Sequence, residues 1–462
     1  MKHTSKAISR RRFIGQMSCA GVGATSMLSS LLTLRLTAGA AGAVTQPTGD
    51  YKALVCLFLA GGNDSFNMLA PRQIDAYNDY ATTREIIALP RTDLLPISSD
   101  GQPFSEFGLH PRLTRLQSLY NGGKAAFLAN VGTMIAPMSV AEYRTNQDLI
   151  PRGLFSHSDQ QFHWQTVVPQ LRGGRPSGWG ARVAELLDHL NAQGQISMNV
   201  SLSGLNIFQN GVNSNTFSAS PAGAPDIRAY EDPVEKLAID SLMAEQYKNL
   251  YQQGYAERVR NGIDQTETFA SALEGAQLST VFPNSPTGNN LRMIANIIAA
   301  RGPLAMNRQI FYLLRGGWDA HTKVLSSQDT LFTEIDAAVG AFWDALVEIG
   351  VENQVTLFTA SDFARTLSTN GQGSDHAWGG NHFMVGGAVQ GGRVYGEYPP
   401  ILIDSAVDVG RGRLLPSTSV DLYAAELASW FGVAPSDLEL VLPNLRNFIN
   451  PISNPCPIGF MS

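Results

Sequence analysis

The chain has 462 residues, a formal net charge of −6, an apolar fraction of 44% and a charged fraction of 16%. These values are typical of a folded globular protein and argue against a disordered chain. The acidic balance argues against nucleic acid as a partner, because phosphates require a basic face.

Residues 1–43 have the pattern of a twin-arginine export signal. Ser9–Ile14 (SRRRFI) contains the arginines, a mostly apolar stretch runs over Ile14–Leu34, and small-residue cleavage sites follow at Ala38–Ala40 and Ala41–Ala43. We expect cleavage, with an uncleaved anchor helix as the alternative. The mature chain is then expected to be periplasmic or secreted, exported by the twin-arginine translocase, with no stable membrane span.

Removal of this segment makes the chain more acidic. The segment contains six of the 33 basic residues and none of the 39 acidic ones, so the remainder has a net charge of −12. Twin-arginine export carries folded cargo, which suits a protein that acquires a metal before it crosses the membrane. Beyond the signal, Cys56 and Cys456 either form a disulfide or stay free, with Cys56 as a buried thiol.

Short apolar runs predict strands, and apolar residues at three- and four-residue spacing predict helices. The predicted strands are Lys52–Ala60, Ala125–Val131, Ile196–Leu202, Gln309–Leu314 and Gln354–Ala360. The predicted helices are Pro111–Tyr120, Trp179–Leu190, Leu331–Ile349 and Val420–Phe431. Their alternation predicts one α/β domain over 44–462, with a doubly wound, mostly parallel sheet and helices on both faces. Residues 233–276 are predicted to form a helical insertion.

Acidic residues and histidines follow three of these strands, where open parallel sheets bind their ligands. Asp64 follows the first strand, Asp319 and His321 follow the fourth, and Asp362 follows the fifth. Asp319 and His321 are two residues apart in an extended segment, so their side chains project to the same side. The alternatives are helix caps at Asp64 and Asp362, and a hydrogen-bonded loop pair of Asp319 with His321.

A glycine-rich loop after the fifth strand adds Asp375, His376 and His382, whose alternative role is also loop hydrogen bonding. Carboxylates and imidazoles together suit zinc, and alternatively manganese, magnesium or calcium, in a site for one or two ions. The predicted ligands of this divalent metal site are Asp64, Asp319, His321, Asp362, Asp375, His376 and His382.

A candidate nucleophile lies in Leu154–Gln161 (LFSHSDQQ), which is predicted to begin a helix. Ser156 lies there at the positive end of the helix dipole, a suitable place to attack or hold an anion. Its alternative role is that of an N-cap, and Ser158 and Ser65 are alternative nucleophiles. Arg365 is predicted to bind the oxygens of the anion, or else to form a structural ion pair.

Six segments resemble an exported bacterial family, the domain of unknown function 1501. They are LFLAGGNDSFNML, LFSHSDQ, GGWDAHTK, TASDFART, GSDHAWGGNHFMVGGAV and PSTSVDLYAAELASWFGV, in this order over nearly the whole mature chain. The family looks related to the alkaline phosphatase and sulfatase superfamily. This resemblance implies a doubly wound α/β fold and a phosphate or sulfate ester hydrolase or transferase with one or two metal ions.

The resemblance also implies roles for individual residues. Asp64 resembles the superfamily's first-strand metal aspartate, Asp319 and His321 its later aspartate and histidine pair, and Asp362 the aspartate of its Asp-His pair. His376 or His382 then resembles the final histidine ligand, and Ser156 the nucleophile.

Three departures from the superfamily pattern stand out. Phe363 follows Asp362 where a histidine is usual, so an imidazole is missing that Asp375-His376 would have to supply from the loop. The spacing between Asp319 and His321 is shorter than usual, and the cysteine motif of formylglycine sulfatases is absent.

The sequence therefore supports two hypotheses. The first is an exported, metal-dependent hydrolase of phosphate or sulfate esters, acting on a small anionic ester or a surface polymer. The second is a non-catalytic exported protein that keeps the fold and binds a secreted partner or surface polymer. Retention of several acid and imidazole ligands favours the enzyme, whereas the substituted positions favour the binding protein.

Overall fold

The computed structural model describes residues 51–172, 174, 176–223, 230 and 232–461. The predicted export signal over 1–43, with its cleavage sites, lies outside these residues. Within the described part of the chain, no helix combines the length and the apolar composition that crossing a membrane requires.

The main sheet has nine strands in the described part of the chain, in the order β13-β5-β12-β9-β1-β8-β6-β7, with β14 also paired to β5. The strands of the chain are β1 Lys52–Leu59, β2 Leu69–Pro71, β3 Leu95–Ser98, β4 Glu106–Leu109, β5 Ala125–Gly132, β6 Asn199–Ser201, β7 Thr216–Ser218, β8 Arg308–Arg315, β9 Val355–Ser361, β10 Arg365–Thr369, β11 Ser374–His376, β12 Gly380–Gly386, β13 Val394–Tyr395 and β14 Thr418–Ser419. β2, β3 and β4 form a separate antiparallel sheet, and β10 pairs with β11.

In the described part of the chain, helices follow seven of the 14 strands. They are Ser65–Met68, Ile74–Arg84, Thr114–Asn121, Val140–Thr145, His157–Thr166, Trp179–Leu187, Pro233–Ala244, Leu250–Glu274, Pro286–Ala299, Val324–Glu348, Val420–Phe431 and Leu438–Val441. Two large clusters of buried apolar side chains pack against the main sheet, and alternate residues of β1 belong to one cluster or the other. This alternation places packed apolar layers on both faces of the sheet, as a doubly wound fold requires.

The mixed α/β fold with a large, mostly parallel sheet is confirmed. β1 pairs in parallel with β8 and β9, and only β12 among the longer strands of this sheet runs antiparallel to its neighbours β5 and β9. All five predicted strands are present with shifted ends, and β12 was not predicted. Helices Pro233–Ala244 and Leu250–Glu274 occupy the segment predicted as a helical insertion.

The cysteines do not form the disulfide that the sequence left open. Cys56 is a buried thiol in β1, and Cys456 is an exposed one near the C-terminus. Burial alone raises the pKa of the Cys56 thiol far above its ordinary value, so this group is an inert part of the core.

The register of the central strands determines where the polar residues meet. Leu59 at the end of β1 pairs with Arg315 at the end of β8 and with Ser361 at the end of β9. Because the three parallel strands end side by side, the segments that follow them leave the sheet at the same edge.

Candidate metal centre

Asp319 and His321 lie in the segment that leaves β8 beside the turn after β1. Gly61 in that turn has φ +117, and a Cβ atom there would lie 2.5 Å from the backbone nitrogen of Asp319, so the close approach requires glycine. Nε2 of His321 lies 3.1 Å from Oδ1 of Asp319. The two side chains thus face each other, as their spacing predicts.

His157, the first residue of the helix His157–Thr166, brings a second imidazole to this place. Its Nδ1 lies 2.7 Å from Oδ2 of Asp362, and its Nε2 lies 3.5 Å from Oδ2 of Asp319. That Nε2 atom is buried and has no hydrogen-bond partner among the described residues. Asp362 is fully buried and also accepts hydrogen bonds from the Gly61 amide and the Gln161 side chain, so it orients His157.

His376, at the end of β11, supplies the third imidazole. Its Nδ1 lies 2.8 Å from the carbonyl oxygen of Phe155. Its Nε2 lies 3.4 Å from Oδ1 of Asp319 and 3.0 Å from Nε2 of His321. Phe155 has φ +74, a rare conformation for a residue with a large side chain. This strained turn aims the Phe155 carbonyl at His376, which is typical of functional sites.

These contacts define the histidine-aspartate cluster, which consists of His157, Asp319, His321 and His376. In each imidazole, Nδ1 faces an oxygen acceptor, since Nδ1 of His321 lies 3.2 Å from Oδ1 of Asp375. A carboxylate or carbonyl oxygen can only accept, so the neutral rings carry their proton on Nδ1 and present a lone pair on Nε2. The Nε2 atoms of His321 and His376 lie 3.0 Å apart, so the pair is satisfied either by a proton shared between them or by a cation that binds both.

The arrangement fits a divalent metal ion. Ligand atoms of His157, Asp319 and His376 all lie within 4.8 Å of one another. Imidazoles held through their other nitrogen by a carboxylate or carbonyl are the usual form of histidine ligands. With His321, the donor set of three nitrogens and one carboxylate suits zinc best.

The surroundings of the cluster keep Asp319 and His376 in the forms that bind metal, whereas they favour the protonated form of His157. Burial would raise the pKa of Asp319, but the hydrogen bond and charge of Arg365 outweigh it and lower the pKa. Burial, together with the positive charge of Arg365, lowers the pKa of His376, against the hydrogen bond to the Phe155 carbonyl, which raises it. The Asp362 hydrogen bond raises the pKa of His157, against the effect of burial. Asp319 is therefore ionised, and His376 neutral, at neutral pH.

The cluster is open to solvent. The exposed fractions of its side chains are 48% for Asp319, 44% for His321, 31% for His157 and 23% for His376. A ligand therefore has direct access to the groups that would hold the ion.

Asp375 lies behind His321 rather than among the inward-facing groups. Its other oxygen lies 2.5 Å from Nη2 of Arg411. Burial raises its pKa, but bonds from Asn370, Arg411 and His321 bring the pKa down to about 2. Asp375 and Asp362 are thus placed to orient histidines, whereas the sequence predicts them as direct ligands.

Arg365 is placed as a structural group. It is fully buried and donates hydrogen bonds to Asp319 and to the carbonyl oxygens of Gly61, Gly62 and Ser374. The structure therefore leaves it no exposed N–H group for an anion, and the alternative of a structural ion pair describes it better.

Asp64 lies outside the cluster. Its Oδ2 lies 2.5 Å from Nη2 of Arg84, with both side chains almost fully buried, and Ser374 donates to the same oxygen. The guanidinium of Arg84 thus takes the position in which a second cation would neutralise Asp64.

His382 also lies outside the cluster. It belongs to β12, a central strand buried on both faces, and its ring packs against Trp164 and Tyr423. Burial lowers its pKa to about 3, so it is a neutral core residue.

Ser156 precedes the helix His157–Thr166 as its N-cap residue, but its side chain makes no capping hydrogen bond. Its hydroxyl contacts only that of Ser158, at 3.2 Å, among the described residues. It lies between Phe155 and His157, which both contact the cluster. Ser65, in contrast, is buried and bonded to the Asn381 amide, so it is not available as a nucleophile.

His157 is absent from the ligands predicted from the sequence, although it stands beside Ser156 in the segment Leu154–Gln161. The sequence contained one signal for His157. Phe363 follows Asp362 where a histidine is usual, so the imidazole had to come from elsewhere in the chain. His157 supplies it from a segment that follows no predicted strand.

Comparisons with known proteins give a family and a set of solved structures. The family described as "Protein of unknown function (DUF1501)" matches residues 51–411. No curated protein matches the chain.

Three of the solved structures are the lipoteichoic acid synthase LtaP from Listeria monocytogenes, the C-terminal periplasmic domain of EcEptC from Escherichia coli in complex with zinc, and the PsFucS1 sulfatase from Pseudoalteromonas sp.. Their sequence identities to this chain are 8%, 8% and 11%, and their TM-scores are 0.36, 0.30 and 0.36. The alignments cover 87%, 74% and 90% of this chain and 75%, 74% and 74% of the respective structures.

Proposed function

The chain belongs to the DUF1501 family, as its motifs predict, and we propose that it is a metal-dependent hydrolase of phosphate or sulfate esters with one divalent ion in the histidine-aspartate cluster. The observation that carries this proposal is that ligand atoms of His157, Asp319 and His376 lie within 4.8 Å of one another, with Nε2 of His321 3.0 Å from Nε2 of His376 and with the Nδ1 atom of each imidazole facing an acceptor.

Zinc is the ion we propose, with manganese, magnesium or calcium as alternatives. Bound there, the ion supplies Lewis acid chemistry and lowers the pKa of a coordinated hydroxyl or water. His157, His376 and Asp319 would hold it, with His321 as the fourth ligand. Asp362, Asp375 and the Phe155 carbonyl keep the three rings in the tautomer that presents Nε2.

Ser156 is the proposed nucleophile, with water or Ser158 as alternatives. It stands at the start of a ten-residue helix, where free backbone N–H groups favour an anion. Because its hydroxyl caps no backbone group, it is free to approach an ester beside the cluster. Attack would join the serine oxygen to phosphorus or sulfur and expel the alcohol, and water would then release the product.

We also propose that the protein is exported in folded form by the twin-arginine translocase and acts in the periplasm or outside the cell. A site open to solvent suits either a small anionic ester or the ester group of a surface polymer. Export after folding would allow the ion to be bound before translocation.

The test is a metal analysis of the purified mature chain, joined to turnover assays with aryl phosphates and aryl sulfates. We expect His157→Ala and His376→Ala to lose both the bound metal and the turnover. His189→Ala is the matched control, because this imidazole is exposed and contacts only its own turn of helix. Unchanged metal content in both cluster variants would refute the proposal.

A non-catalytic binding protein is the second candidate. The buried pair of Asp64 with Arg84 favours it, since that aspartate is no longer free to bind a second ion. Wild-type protein that binds metal but turns over neither ester class would support this candidate. Turnover that disappears together with the metal would exclude it.

A further inference from the structure

Four arginines lie at or near the histidine-aspartate cluster, and they differ in what their guanidinium groups contact. Arg84 and Arg365 are buried and paired with Asp64 and Asp319. Arg411 is held by Asp375. None of these three has a guanidinium that is both exposed and unpaired.

Arg413 is different. Its Nε donates a hydrogen bond to the backbone carbonyl of His376, at 3.1 Å. No other hydrogen bond or ion pair holds its side chain among the described residues, and the residue is only half-buried. Two terminal amino groups therefore remain available for a ligand.

The position of this guanidinium is fixed by a second contact. Its central carbon lies 4.5 Å from the centre of the Phe155 ring, a cation–π distance. Phe155 immediately precedes Ser156, and its carbonyl holds His376. Arg413 thus contacts Phe155, which adjoins the candidate nucleophile, and the backbone of His376, which is a candidate ligand.

A guanidinium with this arrangement is preorganised for an oxyanion. One edge is held by the His376 carbonyl and one face by the Phe155 ring, so little side-chain entropy remains to be lost on binding. The two free amino groups match two oxygens of a tetrahedral phosphate or sulfate group. From the sequence, this role is predicted for Arg365, which is buried in the structure.

We propose that Arg413 binds the phosphate or sulfate group of the substrate beside Ser156. It would thereby contribute to the preference of the site for phosphate and sulfate esters. This inference rests on the proposed function, because it assumes that the cluster and Ser156 act on the same group. It makes Arg413 a substrate-binding residue rather than a ligand of the metal.

The experiment titrates inorganic phosphate and inorganic sulfate into the full mature chain by calorimetry, with and without prior removal of metal by a chelator. Arg413→Gln is expected to weaken the binding of at least one anion on the order of 10- to 100-fold, as loss of a charge-assisted hydrogen bond does. Arg413→Lys should restore part of the affinity, since it keeps the charge without the bidentate geometry. Arg292→Gln, an exposed arginine in the helix Pro286–Ala299, is the control and should bind as wild type does.

The outcomes separate this inference from the proposed function. Metal content and ester turnover of the wild type test the proposed function, whereas anion affinity tests Arg413. Equal affinity in wild type and Arg413→Gln, or no binding of either anion by the wild type, overturns the inference even if the enzyme is active. Loss of bound metal in Arg413→Gln would also overturn it, because the residue would then be supporting the ligands.

Discussion

Nδ1 of His157 lies 2.7 Å from Oδ2 of Asp362, and the two residues are 205 positions apart in the chain. One belongs to the start of a helix and the other follows β9. This contact supplies the imidazole that the sequence beside Asp362 lacks. It also leaves Nε2 of His157 as the group that faces Asp319.

The variant Asp362→Asn tests this contact. The amide keeps the volume but removes the charge that holds the imidazole proton on Nδ1, so we expect zinc affinity to fall on the order of 10- to 100-fold. Competition with a chromogenic chelator measures the affinity. Asp188→Asn, at an exposed carboxylate, should bind zinc as wild type does. An unchanged affinity in Asp362→Asn would show that the contact does not tune the site.

The pair of Asp64 with Arg84 predicts the number of bound ions. Because the Arg84 guanidinium already neutralises Asp64, we expect one zinc per chain in elemental analysis of the loaded protein. Asp64→Asn should retain that ion, whereas Asp319→Asn should lose it. Two ions per chain in the wild type would contradict this prediction.

The same pair predicts an effect on stability. Arg84→Met leaves the buried Asp64 carboxylate without its partner, so we expect the free energy of unfolding to fall by about 3–5 kcal/mol. The double variant Asp64→Asn/Arg84→Met removes the charge as well and should recover most of that loss. Urea unfolding of the three proteins measures the difference. Equal stability of the single and double variants would argue against a strong buried pair.

His382 predicts a pH dependence of stability. Burial lowers its pKa to about 3, whereas the unfolded chain has a pKa of about 6.5. The unfolded state therefore binds more protons between these values, so stability is complete above the unfolded pKa and is lost as pH falls toward 3.

Unfolding of the chelator-treated protein across this range tests the prediction. His382→Leu removes the titrating group, so the slope of its stability against pH should be shallower than that of the wild type. His189→Ala, which loses an exposed imidazole, should keep the slope of the wild type. An unaltered slope in His382→Leu would mean that another group causes the acid dependence.

Much of the fold could be predicted because its signals are local. β1 is a run of apolar residues closed by two glycines, and the helix Val420–Phe431 has the same limits in the prediction and in the structure. Asp319 and His321 were expected to project to the same side of their segment, and Nε2 of His321 lies 3.1 Å from Oδ1 of Asp319. β12 was missed because its sequence also resembled a glycine-rich loop.

The amino-acid sequence by itself determined the family, the mostly parallel α/β architecture and a local pair of side chains that we propose to bind metal. Only the tertiary structure decided which distant groups meet that pair. His157 and His376 lie beside Asp319. Asp64 forms an ion pair with Arg84, and His382 packs against Trp164 in the core. The physical reason is that a ligand set depends on strand register and on the direction of each side chain, and both are determined by packing between segments far apart in the chain.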